Sequence, residues 1–261
     1  MSNHPRQVKL FSKARRDRSG AAVLDMLMCH AFAQQQEAVY GGACVDENDN
    51  LPHLDDVKRL IHSLGLHDQL PFACPTDRAG IILRFDDYFS QDTAIFSDKW
   101  LAQIRPSVGA SMPTLLKDSS VLQVAVHVRR GDVTHCSEPE RYLPNSYYLY
   151  VLDNYIPDLS LGRSINVTIY SESSSYETWE PFKKRGYHLN LGTDLVDLWQ
   201  ALIAADVLVL SRSAFSFAPA LFNQNSVIYT PFWHRPLSQW TVVPKTKVDA
   251  FVSNMDKSCP S

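Results

Sequence analysis

The stretch VLQVAVHVRRGD, residues 121–132, decides how the rest of the chain is read. Val121 to Val128 is apolar and rich in β-branched residues, which predicts a buried strand. The strand stops at Arg129-Arg130-Gly131-Asp132, a turn that puts two guanidiniums and a carboxylate at its carboxyl end. Side chains alternate along a strand, so His127 and Arg129 are expected on one side and Arg130 on the other.

Working outward, helical and strand patterns alternate. Pro144 to Ile156 suits a helix with Tyr147, Tyr148, Val151, Leu152 and Tyr155 on one face. Ile165–Tyr170, Tyr187–Leu191, Val207–Leu210 and Val227–Tyr229 read as further strands. Ser175–Arg185, stopped by Gly186, then Leu195–Ala205, Phe215–Phe222 and an amphipathic Lys245–Met255 read as helices. Strands alternating with helices predict a mostly parallel sheet covered on both faces, with ligands beyond the carboxyl ends of the strands. Polar residues gather there: Arg129, Arg130 and Asp132; Ser171 and Glu172; Ser211, Arg212 and Ser213.

The first half is a smaller α/β unit. Val8–Phe11, Ala38–Val45, Leu70–Ala73 and Gly80–Phe85 are its expected strands. Ala21–Gln34, Leu54–Leu64 and Asp98–Arg105 are its expected helices, the first with Leu24, Leu27, Met28 and Ala31 on one face. Pro106–Ser120 reads as a linker. The expected division is 1–118 and 119–261, two Rossmann-like α/β halves.

The chain has 261 residues, 45% of them hydrophobic, which excludes disorder. Its formal charge of -3 argues against a nucleic-acid partner. No apolar run is long enough to span a membrane. Cys29, Cys44, Cys74, Cys136 and Cys259 lie far apart without a C-x-x-C pair, so they read as free thiols and not as a zinc site. The chain is therefore expected to be soluble and cytoplasmic, or an excised domain of a longer protein. Asn166-Val167-Thr168 fits a glycosylation sequon but falls in a strand, and reads as a chance match.

The strand-end residues suit a phosphate. Arginine offers paired donors to phosphate oxygens, and hydroxyls at a helix start accept or donate beside them. Ser211, Arg212, Ser213 and Ser216 form such a turn, although Ser213 also suits an ordinary N-cap. Asp194 and Asp197 open the preceding helix. A second candidate turn is Asp17-Arg18-Ser19-Gly20, at the end of a basic run from Arg6. Trp233 follows the last of these strands and offers a ring for stacking.

The segment VAVHVRRGDV resembles the H-x-R-R-x-D motif of the fucosyltransferase superfamily that includes α1,2-, α1,6- and protein O-fucosyltransferases. SYYLYVLDNYI, INVTIYSES, DLVDLWQALIAADVLVLSRSAFSFAPALFN and VIYTPFW are similar to the family's following elements, in order. The resemblance implies a GT-B arrangement with a cleft between the halves. It implies inverting, metal-independent transfer of L-fucose from GDP-fucose to a glycan acceptor, with no cofactor. By position it implies that Arg129 contacts the donor β-phosphate, His127 the guanine or ribose side, Asp197 the base, and Ser213 with Ser216 the diphosphate. The family's Ser-Asp-Asp is here Ser171-Glu172-Ser173, and its Asn before the paired serines is Arg212.

The expected site is thus Arg129 and Asp132 as catalytic residues, with His127, Arg130, Glu172, Asp197, Ser211, Arg212, Ser213 and Ser216 on the donor. Asp132 is the first candidate for general base, with Asp17 and Glu172 behind it. A transferase using GDP-mannose or UDP-xylose, and a non-catalytic nucleotide- or glycan-binding domain, remain as alternatives; a purely structural domain ranks last.

Overall fold

A computed structural model describes residues 7–46, 49–76, 80–84, 86–89, 95–113, 118–173, 178–255 and 259. The chain divides after Pro113 into two compact units. The first unit runs β1 (Lys9–Lys13), α1 (Ser19–Gln35), β2 (Val39–Cys44), α2 (Leu54–Ser63), β3 (Gly80–Leu83), α3 (Asp86–Phe89) and α4 (Asp98–Ser111). β1 lies between β2 and β3 and parallel to both.

The second unit runs β4 (Val121–His127), α5 (Asn145–Ser160), β5 (Ser164–Ser171), α6 (Glu180–Lys183), β6 (His188–Leu191), α7 (Leu195–Ala204), β7 (Val207–Val209), α8 (Ala214–Ala220), β8 (Ser226–Tyr229), β9 (Thr241–Val242) and α9 (Lys245–Ser253). Among the described residues its sheet has the order β6-β5-β4-β7-β8-β9, parallel throughout. The protein is therefore an α/β protein with two parallel sheets. In the second sheet the chain grows from β4 to one side through β5 and β6, then returns to β4 and grows to the other side from β7. That reversal, between β4 and β7, is where a doubly wound sheet opens a crevice for a ligand.

Burial explains the elements. Leu122, Val124, Val126 and Val128 share one core with Tyr147, Tyr148, Val151 and Leu152 of α5 and with Val167 and Ile169 of β5. Each such side chain contributes about 1.5–3 kcal/mol of burial. In the first unit α1 is not a surface helix with one apolar face. Val23, Met26 and Cys29 are as buried as Leu24, Leu27, Met28 and Ala31, so the helix is enclosed on nearly all sides. The one acid among them, Asp25, accepts a hydrogen bond from Tyr88 Oη at 2.5 Å, and burial pushes its carboxyl up to about 6.

Several expected boundaries move. Residues 106–111 are not linker, because α4 continues through Pro106 to Ser111. Trp100, Leu101, Ile104 and Val108 are buried at helical spacing across the proline, and that packing outweighs the N–H the proline lacks. In the same way α5 runs past Pro157 to Ser160. The strand expected at Leu70–Ala73 reduces to one bridge, Ala43 to Phe72, since Pro71 has no N–H to extend a ladder. The helix expected over 175–185 is the single turn Glu180–Lys183 within the described residues. Residues 175–177, like Phe85 at the end of the strand expected over 80–85 and Arg6 at the start of the basic run, lie outside the described residues.

The reading of the cysteines as free thiols is corrected. Cys44 is bonded to Cys74 and Cys136 to Cys259, and Cys29 alone is a buried free thiol. The partners are 30 and 123 residues apart, distances at which sequence spacing carries no pairing signal. The Ala43–Phe72 bridge is what brings the first pair together. Asn166 sits within β5 and donates to Gln123 Oε1 across the β4–β5 pairing at 2.7 Å. Among the described residues no helix is long and apolar enough to cross a membrane.

Candidate functional site

The carboxyl ends of β4, β5 and β7 carry the site. His127, the last residue of β4, is buried and pairs through Nδ1 with Ser211 Oγ beyond β7 at 2.7 Å. Ser211 Oγ in turn lies 3.3 Å from the wholly buried Ser216 Oγ, and the imidazole stacks on Phe215. These contacts stitch β4 to the start of α8 across the chain reversal. Burial, with the nearby Arg129 cation adding to it, pushes the imidazole pKa down to about 3. His127 is therefore neutral and acts here as a brace.

The sign of that shift fixes a pH dependence. The unfolded chain takes up the proton near pH 6.5 and the native protein only near 3, so this stability is full above 6.5 and lost as the pH falls. Linkage gives about 2 kcal/mol less stability at pH 5 than at pH 8 from this residue. Urea unfolding over that range, on the native protein and on His127→Gln, is expected to show the difference and its loss in the variant. Asp25 acts with the opposite sign, and the comparison of the two proteins cancels it.

Arg129 and Arg130 diverge. Arg129 Nη1 donates to Glu172 Oε1 at 2.6 Å, and Nη2 donates to Asp132 Oδ1. Glu172 follows β5, whose last residue, Ser171, donates to the Val128 carbonyl at 2.7 Å and ties the turn to that strand. Gly131 has φ +76, which is why the turn needs glycine, and a Cβ there would occupy the space the Glu172 carboxylate now takes. Arg130 is 1% exposed. It donates to Asn145 Oδ1 at 2.6 Å and to the Arg129 carbonyl at 2.8 Å, with its guanidinium over the Tyr142 ring. Asn145 passes the restraint on by donating to the Thr178 carbonyl. Sequence reasoning listed Arg130 beside the donor and missed Asn145 and Tyr142; an asparagine directly after Pro144, opening a helix, was the available signal.

Arg212 differs from both. Its Nε donates to the Pro231 carbonyl at 3.3 Å and its Nη1 to the Glu140 carbonyl at 2.8 Å. Among the described residues it has no carboxylate in ion-pair contact, and it is half-buried, with burial holding its pKa below the ordinary arginine value. Ser213 caps α8 by accepting from the Phe215 N–H, and Asp194 caps α7 by accepting from the Val196 N–H. Asp197 is exposed in the first turn of α7. Trp233, 51% exposed beyond β8, stacks on Phe232 and lies under the Arg141 guanidinium.

The other candidate turn belongs to the first unit. Asp17 is paired with Arg15 at 2.5 Å, Arg18 is the N-cap residue of α1, and Ser19 and Gly20 are buried in its first turn. All three candidate bases, Asp132, Glu172 and Asp17, are thus engaged with an arginine. Among the described residues, His135, Cys136 and Cys259 bring possible ligand atoms within 4.8 Å of one another, but the two sulfurs are bonded to each other.

No family model and no curated protein matches the chain. Solved structures that overlap it do so loosely. A dodecameric iron-containing heptosyltransferase, TibC, in complex with ADP-D-beta-D-heptose, overlaps with TM-score 0.45 at 14% identity over 85% of this chain. The chain spans 57% of the length of that protein. The E. coli heptosyltransferase WaaC with ADP-2-deoxy-2-fluoro heptose overlaps with TM-score 0.40 at 11% identity, covering 90% of this chain and 92% of the other. POFUT1 in complex with GDP-fucose overlaps with TM-score 0.27 at 12% identity, covering 92% and 74%. Likenesses this distant assign neither donor nor reaction to this chain. What the ends of β4, β5 and β7 bring together is two guanidiniums, two carboxylates and a buried set of hydroxyls around His127.

Proposed function

We propose that the second unit binds a nucleotide-diphosphate sugar at the β4–β7 reversal, and that the protein is an inverting, metal-independent glycosyltransferase. The observation that carries this reading is Arg212. A half-buried guanidinium that among the described residues is bonded to two main-chain carbonyls, with Asp249 acting on it only from beyond ion-pair distance, has lost part of its hydration for little counter-charge, a cost that a bound anion repays. It lies where a parallel sheet binds ligands. The motif around Arg129 resembles that of fucosyltransferases, which makes GDP-fucose the donor to test first and a glycan the acceptor.

When the sugar departs, negative charge grows on the leaving diphosphate. Arg129 and Arg212 stabilise it by preorganised N–H donors, while Trp233 offers a face for the base. The two disulfides favour an oxidising compartment over the cytoplasm as the place of action. A non-catalytic nucleotide-binding protein is the second reading, and one observation favours it: Asp132 and Glu172, candidates for the base, are both tied to Arg129.

Calorimetric titration of the full chain with GDP, UDP, ADP and inorganic pyrophosphate tests the binding. Micromolar binding of at least one nucleoside diphosphate, lost in Arg212→Gln, is expected; no binding by any of the four would sink the proposal. Product detection with GDP-fucose, GDP-mannose and UDP-xylose, with and without EDTA, then separates enzyme from binder.

A further inference from the structure

Both terminal nitrogens of Arg129 already face a carboxylate. Asp132 and Glu172 each take one of its terminal nitrogens, and the trio carries a net negative charge. An incoming diphosphate meets that excess before it meets the cation. Carboxylate and phosphate oxygens make the same demand on a guanidinium edge, so they compete for its bidentate face and for its single positive charge. Anion binding at Arg129 is therefore an exchange.

The two acids are not equivalent. Asp132 belongs to the same turn, three residues from Arg129, and its main-chain oxygen accepts from Ser137 Oγ at 3.3 Å. Glu172 reaches in from the end of β5 on a longer side chain. Its carboxylate rests against the α-carbon of Gly131, in space that any side chain at 131 would fill. The Glu172 side chain is 37% exposed, so it has open solvent to swing into.

We propose that Glu172 is a carboxylate guard: it occupies the place of the donor's diphosphate on Arg129 and yields it only to a polyanion. This rests on the reading of Arg129 as a phosphate-binding residue. A singly charged anion gains too little from the exchange to displace Glu172, whereas a diphosphate brings more charge and a second point of attachment. The guard thereby selects nucleoside diphosphates over acetate or chloride. It also competes for Arg129 after the sugar has left, which favours release of the product.

The test is calorimetric titration of the full chain with inorganic pyrophosphate, and separately with acetate, for the native protein, Glu172→Gln and Arg129→Gln. Glutamine keeps the size and one acceptor oxygen and removes the charge. Glu172→Gln is expected to bind pyrophosphate about fivefold more tightly, the scale of one partly exposed charge interaction, and to gain measurable acetate binding. Glu172→Ala is expected to agree. Equal or weaker pyrophosphate binding in both Glu172 variants, with binding lost in Arg129→Gln, would overturn the guard and leave the phosphate reading standing. Undiminished binding in Arg129→Gln, or no binding by any of the proteins, would overturn both.

Discussion

Arg129→Ala is expected to lower sugar transfer by at least ~100-fold, the scale seen when one preorganised donor to a developing anion is removed. The contact strengthens as charge moves onto the leaving diphosphate, so turnover should fall along with donor affinity. Stability should change little, because the ion pairs that Arg129 makes are with partly exposed acids, and such pairs contribute about 0–1 kcal/mol. The measurement is a kinetic titration with the donor that the product screen identifies, beside a thermal melt. Near-native turnover would remove Arg129 from the chemistry.

Arg130→Ala is expected to do the reverse and to destabilise the second unit. Its guanidinium is enclosed, bonded to Asn145 and the Arg129 carbonyl, and packed on Tyr142. Truncation leaves a cavity and strips Asn145 of a charged donor. Together these cost about 3–5 kcal/mol, a large share of the 5–15 kcal/mol that a domain usually has. Urea unfolding followed by tryptophan fluorescence measures it. A variant as stable as the native protein would show that the buried arginine is dispensable. The two neighbours thus separate on two axes, one moving rate and the other moving stability.

That separation was partly legible in the sequence. Strand alternation, carried on past His127 into the turn, turns successive side chains to opposite sides, and the arginines do diverge. Which of them would be buried was not legible, because Asn145, Tyr142 and Thr178 come from three later segments. The parallel sheets could be read from apolar strands alternating with helices, whose signals are local. The tails of α4 and α5 could not, since proline reads as a stop until tertiary packing outweighs it. Ser216 read as a diphosphate ligand; the structure buries it in the His127–Ser211 network. Asp132 and Glu172 read as bases, and their shared attachment to Arg129 depends on the β4–β5 register. No pattern within either segment encodes that register. The cysteine pairs failed for the same reason at longer range.

The Cys136–Cys259 bond also dictates a timetable for biosynthesis. Its two sulfurs are separated by 123 residues, which a ribosome adds on the order of ten seconds at its usual pace. Cys44 and Cys74, 30 residues apart, can close while the second unit is still being made. Cys136 then waits as a reactive thiol on nascent chain, open to capture by any oxidised partner, until the strands and helices after it have emerged and assembled. Of the two bonds it is the one that waits on the second unit, whose elements from α5 to α9 lie between its sulfurs.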